Sequence, residues 1–567
     1  MTALQNRPWI ASYAPGVPAE IELPTTSLVE MLEATVSEFR SHVALEFFGA
    51  TTTYAELGML VNRAAEGLRK LGVKPGDRVA LILPNCPQHV IAFYAVLRLG
   101  AVVVEHNPLY TDREMRHQFE DHGATVAIVW DKIGDRVHAM PRDIAFKSVI
   151  AVDLTQAMPF AKRLLLTLPI PKARKARAAL TAHSKASLPW EKLVNHRPIS
   201  AKYPRPAVTD LAAIQYTTGT TGTPKGAMLT HLNLHANALQ GRAWVPGMVP
   251  GQEVVYAVLP MFHAYGLTLC LTFAMSCGAR LVLLPRFDVD LVLDAAKKHP
   301  PTFLPAVPPI YLKLATAAAE RNVDLTGIRF AISGAMNLPP STVELWESVT
   351  AGYLVEGYGL TETSPVALGN PIGPTRRPGT VGVPFPNTEV RVIDPEDPHV
   401  TTKQGERGEL LIRGPQVFAG YWKKPDETAA VMLPGGWFRT GDIVTVDPDG
   451  FVTIVDRIKE LIITGGFNVS PSEVEDALRS HPDIADVAVV GLLRPEGGED
   501  VVAAVVLANG ATLDEDGIRS WCRENLTAYK VPKRIVQVEE LPRSLIGKVL
   551  RRVVRDELVV RLRSDQV

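Results

Sequence analysis

Two hydrophobic periodicities alternate along the first part of the chain. After Thr53, apolar residues recur three or four positions apart as far as Leu71, which predicts an amphipathic helix that ends near Gly72. Val79–Leu83 is a continuous apolar run, typical of a strand buried on both faces. Further helices are predicted at Gln88–Leu99 and Thr111–His122, and further strands at Ala101–Val104 and Ala124–Val129. Strands that alternate with helices indicate an α/β domain with a largely parallel sheet.

The pattern changes in the last third of the chain. Between Gly405 and Ile454, short alternating strands are separated by Gly and Pro, which predicts a small β-barrel or antiparallel layer at about residues 380–455. Ser470-Pro-Ser-Glu473 has the form of a capping box with proline in the first turn, so a helix is expected to begin there. Strands at Val487–Leu492 and Val501–Leu507 and a helix at Leu513–Asn525 then predict a compact α+β domain.

Composition narrows the class of protein. A chain of 567 residues exceeds one ordinary core, so two or more domains are expected. The formal net charge is −1, which implies no bulk attraction to nucleic acid or to an anionic membrane. Four cysteines without metal spacing indicate reduced packing residues, and the N-terminus has no secretory apolar region, so a cytoplasmic location is expected.

Val254–Ala279 is the stretch that most resembles a membrane span. It contains no Asp, Glu, Lys or Arg and is long enough to cross a bilayer. Pro260, His263 and Gly266 interrupt it, however, together with small residues near its end. We therefore predict a buried strand, a turn and a buried helix.

Pro159–Lys185 differs from the rest of the chain in charge. It has seven basic residues and no acidic residue, with leucines interleaved among them. A basic, apolar segment of this kind is typical of contact with an anionic membrane surface, here the inner face of the membrane, but a solvated insertion loop would have the same composition. Pro169 and Pro171 exclude one long helix, and the sequence leaves the choice open.

A Thr/Gly-rich segment carries the strongest chemical signal. Tyr216–Gly226 reads YTTGTTGTPKG and follows a short apolar strand, Leu211–Ile214. Glycines let successive N–H groups point into one concavity, threonine hydroxyls add donors, and Lys225 adds positive charge. Pro224 and Gly226 stand where a Walker A loop requires Gly and Ser or Thr, so that class is excluded. We expect a polyphosphate site of another kind.

Later turns carry residues suited to the rest of a nucleotide. Gly334 and Ala335 follow a strand and allow close approach of a planar ring. Tyr358 can stack on adenine, and Glu362 offers a hard oxygen ligand for Mg²⁺. Asp442, after a glycine turn, is suited to hydrogen-bond both ribose hydroxyls. Each residue alone reads as an ordinary turn residue, but together they indicate a nucleotide site.

These motifs occur in one order over nearly the whole chain. With Asn107-Pro-Leu-Tyr-Thr111 and Leu259-Pro-Met-Phe-His263, they resemble the adenylate-forming superfamily of acyl-CoA synthetases, aryl-CoA ligases, luciferases and peptide-synthetase adenylation domains. The chain is most similar to bacterial medium- and long-chain fatty acyl-CoA synthetases. The resemblance implies an N-terminal adenylation domain over 1–455, a hinge at Asp456 and a mobile C-terminal domain over 456–567.

The resemblance also implies a role for individual residues. The phosphates are assigned to Thr217, Thr218, Gly219, Thr220, Thr221, Gly222 and Lys225, with Thr361 at the α-phosphate. The adenine and the rest of the nucleotide are assigned to Gly334, Ala335, Tyr358, Gly359, Asp442 and Arg457. Mg²⁺ is assigned to Thr218 and Glu362, and positioning of the acyl group to His263. Gly465 and Gly466 are assigned to the loop that approaches the thiol acceptor. Lys548 is assigned to enter the active site during the first half-reaction. Relatives often have two basic residues directly after the hinge Asp, whereas Ile458 here separates Arg457 from Lys459.

The function implied is ATP-dependent acid–thiol ligation. A medium- or long-chain fatty acid would be activated through an acyl-adenylate with release of pyrophosphate, and coenzyme A would then take the acyl group and release AMP. Alternatives are a coumarate-type aryl-CoA ligase, a fatty acyl-AMP ligase that passes its product to a carrier protein, and a non-catalytic nucleotide-binding scaffold. The sequence leaves open the acyl chain length and whether the protein is a monomer or a homodimer.

Overall fold

A computed structural model describes residues 7–141, 143–144, 146–184, 187–217, 224–457, 460–464, 467–494, 499–544 and 547–564. Its packing divides the chain into two compact units. The large unit comprises Trp9–Glu389 and Ile412–Phe438. The small unit comprises Val390–Leu411 and the described parts of Met1–Pro8 and Arg439–Val567. The predicted domain boundary at 455/456 stays a prediction.

Helices and strands are numbered in chain order. The described helices are α1 (Leu28–Glu38), α2 (Tyr54–Lys70), α3 (Pro87–Arg98), α4 (Asp112–His122), α5 (Asp131–His138), α6 (Phe160–Leu166), α7 (Pro171–Leu180), α8 (Trp190–Val194), α9 (His231–Trp244), α10 (Ala264–Gly266), α11 (Phe273–Ser276), α12 (Val289–Ala296), α13 (Pro308–Arg321), α14 (Pro340–Thr350), α15 (Pro425–Val431), α16 (Pro471–Arg479), α17 (Glu515–Asn525) and α18 (Arg551–Ser564). The strands are β1 (Val43–Phe47), β2 (Ala50–Thr53), β3 (Arg78–Ile82), β4 (Val102–Glu105), β5 (Val126–Trp130), β6 (Ser148–Val152), β7 (Leu188–Pro189), β8 (Leu211–Thr217), β9 (Lys225–Thr230), β10 (Val254–Ala257), β11 (Arg280–Leu283), β12 (Phe303–Ala306), β13 (Phe330–Ser333), β14 (Tyr353–Gly359), β15 (Val366–Gly369), β16 (Val383–Pro384), β17 (Glu389–Ile393), β18 (Gly408–Arg413), β19 (Met432–Leu433), β20 (Trp437–Val446), β21 (Val452–Arg457), β22 (Ile462–Thr464), β23 (Phe467–Val469), β24 (Ile484–Leu493), β25 (Glu499–Leu507) and β26 (Arg534–Gln537).

Two largely parallel sheets form the large unit. One has seven strands in the order β7-β6-β5-β3-β4-β8-β9, and the other has nine in the order β16-β15-β14-β13-β12-β10-β11-β1-β2. Every pairing from β3 to β8 in the first sheet is parallel, and only β9 runs against its neighbour. The α/β class predicted from the alternating periodicities is confirmed.

The predicted local elements of the large unit are also confirmed. Helix α2 begins at a capping box in which Thr53 and Glu56 exchange hydrogen bonds, and Gly72 follows its end with a φ of +92°. The apolar stretch Val254–Ala279 forms strand β10, a turn, and one continuous helix of α10, a π-helical segment (Leu267–Thr272) and α11. Within the part of the chain that the structure describes, no helix is long and apolar enough to cross a membrane.

The small unit contains the predicted α+β domain. Its sheet has the order β24-β25-β26, and side chains alternate between its faces. Val487 and Val489 pack in one core with helices α16 and α17, whereas Ala488 and Val490 pack in a second core with α18. A five-stranded sheet of β17 to β21 occupies the region predicted as a β-barrel or antiparallel layer.

The start of helix α16 follows the prediction in part. Ser470 caps the helix by accepting a hydrogen bond from the Glu473 N–H at 3.1 Å, and Pro471 occupies the first turn. The reciprocal half of the predicted capping box is absent from this described helix start, because the Glu473 carboxylate binds the Lys530 ammonium at 2.5 Å instead.

Candidate active site

Three predicted site segments follow the ends of strands in one parallel array. Strands β14, β13, β12 and β10 are neighbours in the nine-stranded sheet, and all three pairings between them are parallel. Parallel strands bring their carboxyl ends to one edge of a sheet, which is where open α/β sheets bind ligands. His263, Gly334 and Glu362 come within a few residues of three of these ends.

The turn after β13 is shaped for close approach. Ala335 has a φ of +69°, a conformation that costs an alanine energy. A Cβ on Gly334 would lie 3.0 Å from the Tyr265 ring, so a side chain there would displace that tyrosine. The Tyr265 hydroxyl donates to the carbonyl oxygens of Ile332 at 2.6 Å and Ala306 at 3.2 Å. Tyr265 thereby joins the ends of β12 and β13 beneath this turn.

The turn after β14 requires glycine at its first position. A Cβ on Gly359 would lie 1.8 Å from the Pro365 carbonyl oxygen, because the chain folds back and pairs β14 with β15. Tyr358 is buried, and a 3₁₀ turn begins at Thr361. The predicted adenine, α-phosphate and metal residues therefore stand within one short, tightly folded turn.

Glu362 is a buried carboxylate whose orientation is fixed by a tyrosine. The Tyr421 hydroxyl donates to Glu362 Oε1 at 2.7 Å. Lys225 lies over the face of the Tyr421 ring, with its ammonium 5.1 Å from the ring centroid, and forms an ion pair with Glu427. Burial, followed by the nearby charge of Glu362, raises the pKa of Tyr421, so its hydroxyl remains a donor. We call these four residues the Tyr421 network.

Backbone hydrogen bonds tie this network to the exit of the Thr/Gly-rich segment. In strand β9, Gly226 accepts from the Trp422 N–H at 2.7 Å, and Met228 donates to Gly420 and accepts from Ala419, both at 2.9 Å. The neighbouring Phe418 N–H donates to the carbonyl oxygen of Glu362 at 2.9 Å. Lys225 and Glu362, which are 137 positions apart in sequence, are thus held by one short segment.

Two buried histidines, His106 and His122, contact Tyr216, the first residue of the Thr/Gly-rich segment. The Ala124 N–H donates to His122 Nδ1, so His122 Nε2 carries the proton and donates to His106 Nε2 at 3.1 Å. His106 Nδ1 then donates to Gln118 at 2.6 Å. Burial lowers the pKa of both rings, that of His106 to about 4, so both are neutral at pH 7. The His106 ring stacks on Tyr216, whose strand leads to Thr217.

His263 precedes the continuous helix that begins at α10. His263 is exposed as a residue, and loss of hydration at its ring lowers its pKa. Its exposure agrees with the prediction that this residue faces the substrate. A neutral ring agrees with positioning rather than charge stabilisation.

Asp442 and Arg457 are brought together in the small unit. They are directly opposite each other in the antiparallel pair β20–β21. Asp442 is buried, and its N–H donates to the Thr440 hydroxyl at 3.1 Å, next to Gly441 with a φ of +72°. The Arg457 side chain lies outside what the structure describes.

Lys548 lies on a tight turn of the small unit. The Ser544 N–H donates to the Lys548 carbonyl oxygen at 2.7 Å, and Gly547 between them has a φ of +80°. Three residues later, Arg551 makes a bidentate contact with Glu475 of helix α16, at 2.7 and 2.9 Å. The turn therefore holds a half-buried lysine on a firmly anchored support.

Some predicted residues lie outside the described residues. They are Thr218, Gly219, Thr220, Thr221 and Gly222 in the large unit, and Gly465 and Gly466 in the small unit. Among the described residues, no group of three or more His, Cys, Asp or Glu side chains is arranged to hold a metal ion.

Comparison with known proteins identifies the family. Residues 32–422 match the model of the AMP-binding enzyme family, and residues 473–548 match the AMP-binding enzyme C-terminal domain. The chain belongs to the AMP-binding enzyme family. It is 38% identical over 556 residues to a long-chain-fatty-acid–CoA ligase of Bacillus subtilis, covering 97% of this chain and 98% of that protein. It is 35% identical over 542 residues to 4-coumarate–CoA ligase 1 of Solanum tuberosum, covering 92% of both.

Solved structures agree with this assignment. ATP-bound MatB from Rhodopseudomonas palustris is 30% identical, with a TM-score of 0.79, over 94% of this chain and 99% of that chain. A benzoate CoA ligase from Burkholderia xenovorans is 26% identical, with a TM-score of 0.77, over 94% of this chain and all of that chain. The predicted superfamily and fold class are confirmed.

In this AMP-binding enzyme, three residues near the candidate site were not predicted from the sequence. Tyr421 and Glu427 had no local signal, because their importance comes from partners far along the chain. Glu356 did have one: it is an acid within an otherwise apolar buried strand, β14, and buried acids are rare unless paired.

Glu356 is expected to make stability depend on pH. Burial raises its pKa to about 8 from an ordinary value of 4.5, opposed in part by the Leu338 N–H. Between these values the folded chain keeps a proton that the unfolded chain releases, so the free energy of unfolding falls as pH rises. Glu356→Gln should therefore be more stable than the parent at pH 8, by up to about 4 kcal/mol, with the difference disappearing near pH 5.

The measurement is the unfolding midpoint from pH 5 to pH 8. The exposed Glu320→Gln serves as the matched control and should keep the parent's pH dependence. A Glu356→Gln profile parallel to that of the parent would contradict the assignment.

Proposed function

We propose that the chain activates a medium- or long-chain fatty acid with ATP and transfers the acyl group to coenzyme A. The observation that carries the proposal is similarity over 97% of the chain to relatives named long-chain-fatty-acid–CoA ligase, at 36–38% identity for the Bacillus subtilis and Escherichia coli proteins. The arrangement of Glu362, Tyr421 and Lys225 beside the Thr/Gly-rich segment supports it.

The carboxylate of the substrate is itself a poor acylating agent, so it is first activated with ATP. The carboxylate oxygen attacks the α-phosphorus of ATP, the bond to the β-phosphate oxygen breaks, and pyrophosphate leaves. The coenzyme A thiol then attacks the acyl carbonyl and its proton passes to water, while the bond from the acyl carbon to the phosphate oxygen breaks and AMP leaves. Because two anions meet in the first step, its barrier is lowered by cations and donors held in place in advance.

Side chains of this chain are assigned to that first step. Lys548 and Lys225 supply positive charge, and Thr361 contacts the α-phosphate. Asp442 holds the ribose and Arg457 the nucleotide, while the ring of Tyr358 stacks on adenine. His263 positions the acyl carboxylate, which is already ionised near pH 7 and needs no base. For the second step, Gly465 and Gly466 are assigned to the approach of the thiol.

We also propose that Glu362 and Thr218 hold Mg²⁺. Glu362 fits this role because it is a buried carboxylate oriented by a neutral hydroxyl donor, in the turn that follows β14. When bound, Mg²⁺ would neutralise charge on the phosphate oxygens.

A cytoplasmic location is proposed from the cysteines. All four are unpaired and buried, and burial raises the pKa of Cys86, Cys270 and Cys277 to about 12. Such thiols are unreactive packing groups, as expected in a reducing compartment.

The proposal is tested by pyrophosphate release across a panel of acids, from acetate to oleate with coumarate and benzoate, with and without coenzyme A. Turnover that is highest on long chains and yields the CoA ester supports it. Turnover on coumarate alone favours the aryl-CoA ligase, which the Solanum tuberosum relative makes the second candidate. Adenylate that accumulates without CoA ester favours the acyl-AMP ligase. No release with any acid favours the non-catalytic scaffold.

A further inference from the structure

Five large apolar side chains are exposed within eleven residues of the large unit. Phe160 is 77% exposed, Leu164 58% and Leu165 59%, and Leu168 and Ile170 are also exposed. The described part of the chain has seventeen exposed large apolar side chains in all, and the other twelve are spread over its length. Single exposed apolar residues are ordinary, but a cluster of this density marks an interaction surface.

The cluster lies on helix α6 and on the connection from α6 to α7, and these two helices contribute almost nothing to a core. Helix α6 has no buried residue, and helix α7 has only Ala173. The predicted break at Pro169 and Pro171 is confirmed, since α6 ends before it and α7 begins at Pro171. The segment is nevertheless attached at both ends.

Two hydrogen bonds make that attachment. Lys162 donates to the Phe48 carbonyl oxygen at 2.8 Å, and the Trp130 indole donates to the Leu180 carbonyl oxygen at 2.8 Å. The apolar side chains are thus held on the outside of the large unit by its own fold.

Basic residues lie within the apolar cluster and directly after it in the sequence. Residues 159–180 include six Lys and Arg and no acid, in a chain whose net charge is −1. Lys172, Arg174, Lys175 and Arg177 are exposed, and none of the four forms an ion pair with a residue that the structure describes. A surface that combines unpaired positive charge with exposed apolar groups needs a partner that offers both anions and hydrocarbon.

We propose that residues 159–180, the α6–α7 segment, dock on an anionic lipid bilayer. Phosphate headgroups complement the four exposed basic residues of α7, and the boundary of the acyl chains receives the apolar residues of α6. This surface is independent of the proposed catalytic function, because it uses no residue of the candidate active site.

The charge requirement is tested by sedimentation with phosphatidylcholine vesicles that contain about one third phosphatidylglycerol. One variant carries Lys172→Gln, Arg174→Gln, Lys175→Gln and Arg177→Gln. The matched control carries Lys74→Gln, Lys202→Gln, Lys298→Gln and Lys313→Gln, which are exposed lysines elsewhere in the large unit and lower the net charge by the same four units. Each charge near the surface contributes about fivefold, so the first variant should lose at least about 20-fold in partitioning even where only two of its four charges reach the headgroups, and the control less than about threefold.

The apolar requirement is tested separately with Phe160→Ser, Leu164→Ser and Leu165→Ser together. Its partitioning should fall as well, while pyrophosphate release with a short soluble acid stays at the parent level for every variant. Equal partitioning of the two charge variants would overturn the proposal, as would equal binding of the parent to vesicles of phosphatidylcholine alone. The proposal would also be overturned if the parent protein did not bind vesicles but bound an acidic protein through these residues.

Discussion

Substitution of Lys548 by alanine will slow adenylate formation about 10²–10³-fold and leave thioester formation from supplied acyl-adenylate within about threefold of the parent rate. The reason is electrostatic: the first step brings a carboxylate to a polyphosphate, whereas the second step attacks a carbonyl that is already activated. The backbone hydrogen bond from Ser544 to Lys548 and the contact of Arg551 with Glu475 fix the backbone that carries this lysine.

The measurement pairs pyrophosphate release with CoA ester formed from synthetic acyl-adenylate. Lys533→Ala is the matched control, because it removes a 62% exposed lysine from the same unit and should leave both rates unchanged. Equal loss of both steps in Lys548→Ala would contradict the assignment of this residue to the first half-reaction.

Substitution of Glu362 by glutamine will lower the rate of adenylate formation about 10²–10³-fold and raise the Mg²⁺ concentration needed for half-maximal rate. Glutamine keeps the acceptor for the Tyr421 hydroxyl, so the turn keeps its packing while it loses the negative charge. The unfolding midpoint should therefore remain near that of the parent.

Tyr421→Phe gives the graded comparison for this site. It leaves the Glu362 carboxylate in place but removes the hydrogen bond that orients it, which is worth about 1.5–3 kcal/mol for a charged acceptor. A loss of about 10-fold is expected, with a smaller shift in the Mg²⁺ requirement. If Glu362→Gln shows a normal Mg²⁺ requirement, the carboxylate is not a metal ligand.

The helices, strands and turns that depend only on neighbouring residues could be predicted from the sequence. Helix α2 and strands β3 to β5 follow from the hydrophobic periodicity, because each is decided by its own side chains and caps. The turns at Gly334, Tyr358 and Glu362 were found because short motifs carry them, and the sheet then placed them at one edge.

Long-range pairing accounts for what the sequence could not show. Nothing near Val43–Phe47 indicates that this strand joins the sheet of Leu281 and Leu283 rather than that of Val79. In the same way, Lys225 was predicted to contact phosphate from its motif alone, while its contacts with Tyr421 and Glu427 depend on residues about 200 positions away. Its role at phosphate stays a prediction.

The placement of strand β1 has a consequence for synthesis on the ribosome. Its parallel partner β11 is made more than 230 residues later, so at about 5–20 residues per second the β1–β2 hairpin waits on the order of 10–50 s for the sheet it joins. The seven-stranded sheet lies entirely between these two segments and can be completed first. During that interval the apolar residues of β1 have no sheet to pair with, and a nascent chain in this state is a natural client for a chaperone.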